Sequence, residues 1–263
     1  MAHAARVCNY WLGGKDHFAA DREAGREVMR LRPEVVAGVR ANREFLVRVV
    51  RYLVSRGVRQ FLDVGCGLPA ADNTHEIAQR LEPYCRVVYV DTDPMVLAHA
   101  EALLASTWEG FCDYLEADLH DVDFIMKEAS RSLDLARPVG LLLLAVLHLV
   151  PGDAAGAVAA LAGSLAPGSF VAVSHLTADF APRAVIAAVE AYNELAPVPV
   201  TARGHAEVTA LFGGHPLVAP GIVPVFGWRP DRPGFADQAA DLYGGMARTA
   251  RPPWQPRWHG GAG

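Results

Sequence analysis

The sequence predicts an α/β fold in which a mainly parallel sheet is covered by helices on both faces, a doubly wound arrangement. From residue 60 onward, short Val/Leu-rich runs alternate with helix-length segments, the pattern of repeated strand–helix–strand units. The runs are apolar nearly throughout, not every second residue, which marks strands buried on both faces. The first run ends in an acidic residue and a Gly-x-Gly turn, Asp63-Val64-Gly65-Cys66-Gly67. That is how a parallel strand passes the chain to a helix at the ligand-bearing edge of such a sheet.

Residues 1–20 are rich in aromatic residues and glycine, centred on Asn9-Tyr10-Trp11-Leu12-Gly13-Gly14-Lys15-Asp16-His17-Phe18. A helix follows over about 20–31, and a second runs from Pro33-Glu34 to Ser55-Arg56-Gly57. In the second, Val35, Val39, Leu46, Val49, Val50 and Leu53 recur at helical spacing, and Gly57 is a suitable stop. Strands are expected at 60–64, 86–91, 111–117, 139–146 and 169–175, with helices at about 72–82, 94–105, 121–132 and 153–165. Segments 182–196 and 205–212 read as helices. Short strands near 216–219 and 222–228 would form a closing antiparallel hairpin around Pro220-Gly221. The tail from Arg251 to Gly261 should be irregular. With no internal repeat and no linker, one domain over 1–263 is expected: an N-terminal arm and helices (1–57), an α/β core (58–230) and a C-terminal extension (231–263).

The chain has 263 residues, 52% of them hydrophobic and 20% charged, an ordinary globular balance. A net charge of -5 gives no electrostatic reason to expect a nucleic-acid partner. The four cysteines form no CxxC pair and the ten histidines are scattered, so no metal site is expected. The longest apolar run, Val139 to Leu147, falls short of the roughly 20 residues a bilayer span needs. The N-terminus lacks the apolar stretch of a signal peptide. A cytoplasmic protein with no membrane association is the expectation.

The fragment Gly65-x-Gly67-x-x-Ala70 also fits a relaxed dinucleotide fingerprint, with Asp91 placed for a ribose, and alone it is weak. The plainer alternative is a glycine turn that merely closes a βα unit. Charge narrows the choice. Asp63 precedes the loop, and residues 61–75 contain no lysine or arginine. A pyrophosphate would be repelled there, whereas the ammonium and sulfonium of S-adenosylmethionine would be attracted. Asp91 can accept from both ribose hydroxyls. Asp118 can accept from the adenine amino group, with Leu119 beside the ring. All three acidic residues fall at carboxyl ends of successive expected strands, where open α/β sheets bind ligands. Their alternative roles are loop solvation and helix capping.

These residues, with several longer motifs, resemble the class I S-adenosylmethionine-dependent methyltransferases. More narrowly, they resemble the actinobacterial S-adenosyl methyltransferase family long labelled a domain of unknown function. The resemblance covers nearly the whole chain. It rests on the block from Asn9 to Phe18, on Arg40-Ala41-Asn42-Arg43-Glu44-Phe45-Leu46, on Gln60 to Pro69, and on Val88-Tyr89-Val90-Asp91-Thr92-Asp93-Pro94. It continues through Leu144-Ala145-Val146-Leu147-His148-Leu149-Val150-Pro151, Pro167-Gly168-Ser169, Ser174-His175 and Gly221 to Val225. Small departures are Cys66 and Ala70, where threonine is frequent, and His17, where asparagine is. The resemblance implies a seven-stranded sheet with its last pair antiparallel. The cofactor would lie across the first strands, and an N-terminal segment would fold over it to help build the acceptor pocket.

For a methyltransferase the cofactor set is then Asp63, Gly65, Cys66, Gly67, Asp91, Thr92, Asp118, Leu119 and the backbone at Ala145. Lys15 would pair with the cofactor carboxylate, the alternative being a surface pair with Asp16. His148, directly after an apolar strand, is the candidate general base, because its ordinary pKa is near neutral; a structural histidine is the alternative. His175 holds the same position one strand on. Tyr10, Trp11 and Asp16 are candidate acceptor contacts, along with His148 and His175. Arg43 anchors the N-terminal arm, reaches a carboxylate, or equally lies on a solvated helix face. The expected partner is a small-molecule methyl acceptor. A non-catalytic cofactor binder and an NAD-dependent oxidoreductase are the competing readings.

Overall fold

The computed structural model describes residues 1–103, 106–231 and 240–250. Strands β1 (Gln60–Val64), β2 (Arg86–Asp91), β3 (Phe111–Glu116), β4 (Gly140–Leu144), β5 (Phe170–Leu176), β6 (Val223–Pro224) and β7 (Leu242–Arg248) form one sheet. Its order is β3-β2-β1-β4-β5-β7-β6. β1 to β5 are mutually parallel, and β7 runs antiparallel to both β5 and β6. The chain moves outward from β1 to β3 and then returns to place β4 on the other side of β1. The carboxyl ends of β1 and β4 therefore form the switch point at which such sheets hold ligands.

Alternate strand residues feed two cores. Phe61, Val87 and Leu142 pack under Phe45, Val49 and Leu53 of α3 (Val35–Ser55) and Ile77 of α4 (Thr74–Leu81). Leu62, Val88, Leu141 and Leu143 face the other way, onto Ile125 of α6 (Val122–Ala129) and Leu161 of α7 (Ala154–Gly163). Burial on both faces is why these strands read as continuous apolar runs. α5 (Pro94–Leu103) follows β2, and α8 (Pro182–Leu195) and α9 (His205–Ala210) follow β5. No described helix is long and apolar enough to cross a membrane.

The structure departs from the sequence reading in three places. Residues 4–11 form a helix, α1 (Ala4–Trp11), ahead of α2 (Ala19–Leu31). An eight-residue segment ending in Tyr10-Trp11 is marginal alone, because short helices gain their stability from packing. Here Ala2 and Val7 pack with Ala24 and Val28 of α2 and with Ala188 and Tyr192 of α8. Second, the expected closing hairpin of 216–219 with 222–228 does not form. Leu217 makes only an isolated bridge to Ala247, and Val223–Pro224 pairs with β7.

Third, β7 itself lies in the segment assigned to a C-terminal extension outside the α/β core, with no strand expected there. Gly244 and Gly245 conceal it, since glycine weakens a strand signal. A Cβ at Gly244 would press to 3.0 Å from Phe45 and Val225, and one at Gly245 to 2.9 Å from Ile222. The glycines thus let α3 and the loop before β6 approach the sheet. The tail from Arg251 and the last two residues of the expected 94–105 helix lie outside the described residues.

Candidate functional site

Above the carboxyl ends of β1 to β4 lies a cavity of about 910 Å³, roofed by α1 and walled by α2, α3 and α8. Sites for small ligands span roughly 300–1,000 Å³, so this one has room for two ligands side by side.

The β1 loop forms its floor. Gly65 (φ +75°) and Gly67 (φ +66°) are left-handed, and the amide of Gly65 donates to the Val90 carbonyl at 2.8 Å. A Cβ at Gly65 would overlap the Val146 side chain after β4. Left-handed backbone costs a side-chain-bearing residue roughly 1–2 kcal/mol, and overpacking adds to it. Gly65→Ala is therefore expected to lower unfolding stability by about 2 kcal/mol, read from urea denaturation. An unchanged midpoint would show that the two loops do not meet so closely.

Three carboxylates reach this floor in different states. Asp91 accepts on Oδ2 from the Gly67 amide at 2.9 Å and weakly from the Cys66 thiol at 3.9 Å, and on Oδ1 from the Asp93 amide at 3.1 Å, leaving Oδ1 a further lone pair. Asp63 is buried and accepts from Thr74 Oγ1 at 2.6 Å. Burial pushes its carboxyl up to about 6, against the opposing effects of that hydrogen bond and the Arg43 charge. Asp118 is exposed and accepts from the amide and Nδ1 of His120, at 2.8 and 2.7 Å. Those bonds, the amide's first, hold its carboxyl below the usual range. Leu119 is buried beside it. Cys66 and Thr92 complete this side of the lining; burial pushes the Cys66 thiol up, which makes it a filler and not a nucleophile.

At the end of β4, Ala145 is held at φ +55°, an uncommon conformation for a non-glycine residue. Its amide donates to the carbonyl and hydroxyl oxygens of Ser174 at 3.1 and 2.9 Å, and Ser174 Oγ donates to Asn42 Oδ1 at 2.6 Å. The strained residue is thereby tied to β5 and α3.

His148 follows, in a 3-10 turn (Leu147–Leu149) that ends β4 earlier than the expected 146. It lines the cavity, with Nδ1 shielded from solvent and without a partner. Burial, then the neighbouring His175 and Arg203, lower its pKa to about 3, so the imidazole is neutral across the physiological range. His175 does not reach the cavity. It is fully buried, with Nδ1 donating to the Leu176 carbonyl at 2.7 Å and Nε2 accepting from Arg203 at 2.6 Å. Arg203 can only donate, which fixes the tautomer.

In the N-terminal block, Trp11 lines the cavity and donates from Nε1 to the Gly25 carbonyl at 3.1 Å. Tyr10, on the other flank of α1, packs edge-on against His17 at 5.3 Å and is not among the lining residues. Lys15 and Asp16 are also absent from the lining and exposed, beyond the Gly13-Gly14 turn, which carries both side chains outward. Asp16 stands instead within 4.0 Å of His99 on α5.

Arg43, by contrast, lines the cavity beside the loop after β1. Its Nη2 donates to the carbonyls of Ala71 and Asp72 at 2.9 and 2.8 Å, while Nε is shielded and unpartnered. Helical spacing from Val39 could have signalled this inward flank. Sequence reasoning missed other groups altogether. Asn9 bonds the Asp16 amide at 3.0 Å, and the pair Arg32–Asp241 joins α2 to the start of β7 at 2.7 Å. Tyr192 on α8 is a further lining residue. A latch holds the roof: His3 and Arg6 stand 3.4 and 3.5 Å from Asp93, and Arg6 binds buried Asp21 at 2.9 Å.

The sequence pattern of the S-adenosyl methyltransferase family matches residues 1–250. The solved structure of a DUF574-family protein from Streptomyces avermitilis is 44% identical, with a TM-score of 0.90 over 95% of this chain and 98% of that one. A protein from Thermobifida fusca described as a candidate methyltransferase is 37% identical, with a TM-score of 0.86 over 94% of each chain. Human N-acetylserotonin methyltransferase, solved with S-adenosylmethionine, is 16% identical with a TM-score of 0.51 over 86% of this chain and 56% of that one, a likeness of fold alone. No curated protein sequence matches the chain.

Proposed function

The chain belongs to the S-adenosyl methyltransferase family, and we propose that its cavity above β1 to β4 binds S-adenosylmethionine beside a small-molecule methyl acceptor. The fold is that of the class I methyltransferases, and S-adenosylmethionine is the cofactor. The observation that carries the site assignment is the set of three carboxylates, Asp63, Asp91 and Asp118, lining one cavity from three successive strand ends.

The residues present fit that group. Asp91 keeps an open lone pair on Oδ1 and, on Oδ2, one held only by a weak thiol contact, for a diol such as ribose. Asp63, buried and short of hydrogen bonds, suits an ammonium. Asp118 and Leu119 offer an acceptor and an apolar face to an adenine ring. Arg43, with Nε shielded and unpartnered, replaces the exposed Lys15 as the candidate for the cofactor carboxylate. The left-handed Gly65 and Gly67 let backbone, not side chain, face the ligand. When bound, S-adenosylmethionine supplies a methyl group already activated on a sulfonium. The chain's own task is to align the acceptor, exclude water and receive a proton. His148, neutral and unpartnered where the β4 loop meets the acceptor side, is the candidate proton acceptor.

Thermal unfolding with S-adenosylhomocysteine, S-adenosylmethionine and NAD(H) in parallel tests the cofactor assignment. Either adenosyl ligand at 100 times its dissociation constant should add about 2.7 kcal/mol, or roughly 5–10 °C for a chain of this size. A shift with NAD(H) and none with the adenosyl ligands would overturn it.

A further inference from the structure

The cavity is not uniform. Asp63, Asp91 and Asp118 lie on the floor, Arg43 bonds the loop after β1, and Arg40 and Glu44 are further lining residues of α3, on the helical flank of Arg43 away from Val35 and Val39. The other half is walled by Val28 of α2, Val35 and Val39 of α3, Leu149 after β4, and Val185 and Val189 of α8. The charges lining that half are Arg32 and Asp241, which neutralise each other through two hydrogen bonds of 2.7 and 3.2 Å, with Glu34 adding a third contact to Arg32 at 2.9 Å. Among the described residues this half therefore offers a ligand no free cation and no free carboxylate. The polar side chains that line it include two neutral ones, the His148 imidazole and the Tyr192 hydroxyl.

We infer that the methyl acceptor is an uncharged, predominantly apolar molecule, methylated on a hydroxyl oxygen that His148 holds. This rests on the methyltransferase reading above and names its substrate class. A carboxylate or a protonated amine entering this half would lose its hydration and find no counter-ion, a loss an apolar pocket does not offset. A hydroxyl loses little, because the imidazole accepts its proton in a hydrogen bond.

The electron and proton count closes with His148 as the base. The hydroxyl oxygen forms the new bond to the methyl carbon, and the carbon–sulfur bond breaks with its electron pair left on sulfur. The hydroxyl proton passes to the imidazole and from there to solvent. As the oxygen–carbon bond forms, the O–H becomes strongly acidic, so even a weakly basic, desolvated imidazole can take the proton. The positive charge leaves sulfur as it arrives on His148, and the net charge of the site is unchanged during transfer. The ring is oriented for this by His175, edge-on at 5.6 Å and itself fixed by Arg203 and the Leu176 carbonyl.

The test uses probes of one shape and three charges, 2-naphthol, 2-naphthoate and 2-naphthylmethylammonium, titrated into the full chain saturated with S-adenosylhomocysteine. 2-Naphthol is expected to bind at least about tenfold more tightly than either ion. His148→Leu should weaken 2-naphthol at least about fivefold while leaving 2-methoxynaphthalene unchanged. With S-adenosylmethionine, 2-methoxynaphthalene should form mole for mole with S-adenosylhomocysteine. Either ion binding as tightly as 2-naphthol, or no binding of any probe to the loaded protein, would overturn the substrate class. An unchanged 2-naphthol affinity in the His148 variant, or bound 2-naphthol that is never methylated, would remove the hydroxyl from the reacting position. Failure of S-adenosylhomocysteine itself to bind is a separate result and counts against the cofactor reading.

Discussion

Asp91→Ala is expected to weaken S-adenosylhomocysteine binding by roughly 100- to 10,000-fold, measured by titration calorimetry. Hydrogen bonds to an ionised acceptor contribute about 1.5–3 kcal/mol each, and a ribose diol would make two to this carboxylate. The substitution also removes the acceptor for the Gly67 and Asp93 amides, so part of the loss comes from a loosened β1 loop. Asp91→Asn separates the two contributions. It keeps one acceptor oxygen, and an intermediate loss of about tenfold is expected. Thermal unfolding of each apo variant checks that the fold survives. Affinity within threefold of the parent in the alanine variant would place the ribose elsewhere than at the end of β2.

Asp63 and Asp91 were legible because their positions follow from strand pattern alone. β1 and β2, buried nearly throughout, announce their own ends, whereas β3 is a half-buried edge strand and Asp118 lies two residues past it. Side chains carried by the covering helices are another matter. Lys15 stands out in the sequence because lysine is rare in this chain, but rarity carries no direction, and the Gly13-Gly14 turn points it outward. Arg43 points inward because α3 presents that flank to the loop after β1, which depends on how Phe45, Val49 and Leu53 seat on the sheet.

His148 and His175 show the same limit. His148 follows β4 by four residues, whereas His175 lies at the end of the apolar β5 run, just before its final residue Leu176. Only the 3-10 turn after β4 and the arrival of Arg203, 28 residues beyond His175, decide which imidazole faces the cavity and which is locked in the core. β7 was hidden for a related reason: its paired glycines serve contacts with Phe45 and Ile222 that are remote in sequence.

Asp63→Asn should stabilise the apo protein and weaken cofactor binding together. The folded pKa of about 6 lies above the ordinary 3.8 because burial disfavours the charge. Above pH 6 the carboxylate is ionised in both folded and unfolded chains, and folding bears the full cost of burying it, about 3 kcal/mol for a displacement of this size. Between pH 6 and 4 the folded chain takes up a proton that the unfolded chain does not, so this cost disappears as the pH falls. Asparagine never carries the charge and still offers Thr74 Oγ1 an oxygen to bond. Urea denaturation should therefore find the variant more stable by up to about 3 kcal/mol at pH 8, with the advantage shrinking toward zero near pH 4.

Ligand binding should move in the opposite direction. An ammonium beside Asp63 offsets the burial cost in the parent, so the variant should lose roughly 10- to 100-fold in S-adenosylhomocysteine affinity at pH 8. Below pH 6 a proton competes with the ammonium for the carboxylate, and the parent's affinity should fall by up to about tenfold per pH unit beyond what the variant shows. A variant less stable than its parent at pH 8 would mean that Asp63 is already compensated within the apo fold. In that case its carboxylate has no need of a cationic ligand, and the assignment of the cofactor's ammonium to this strand end would fall with it.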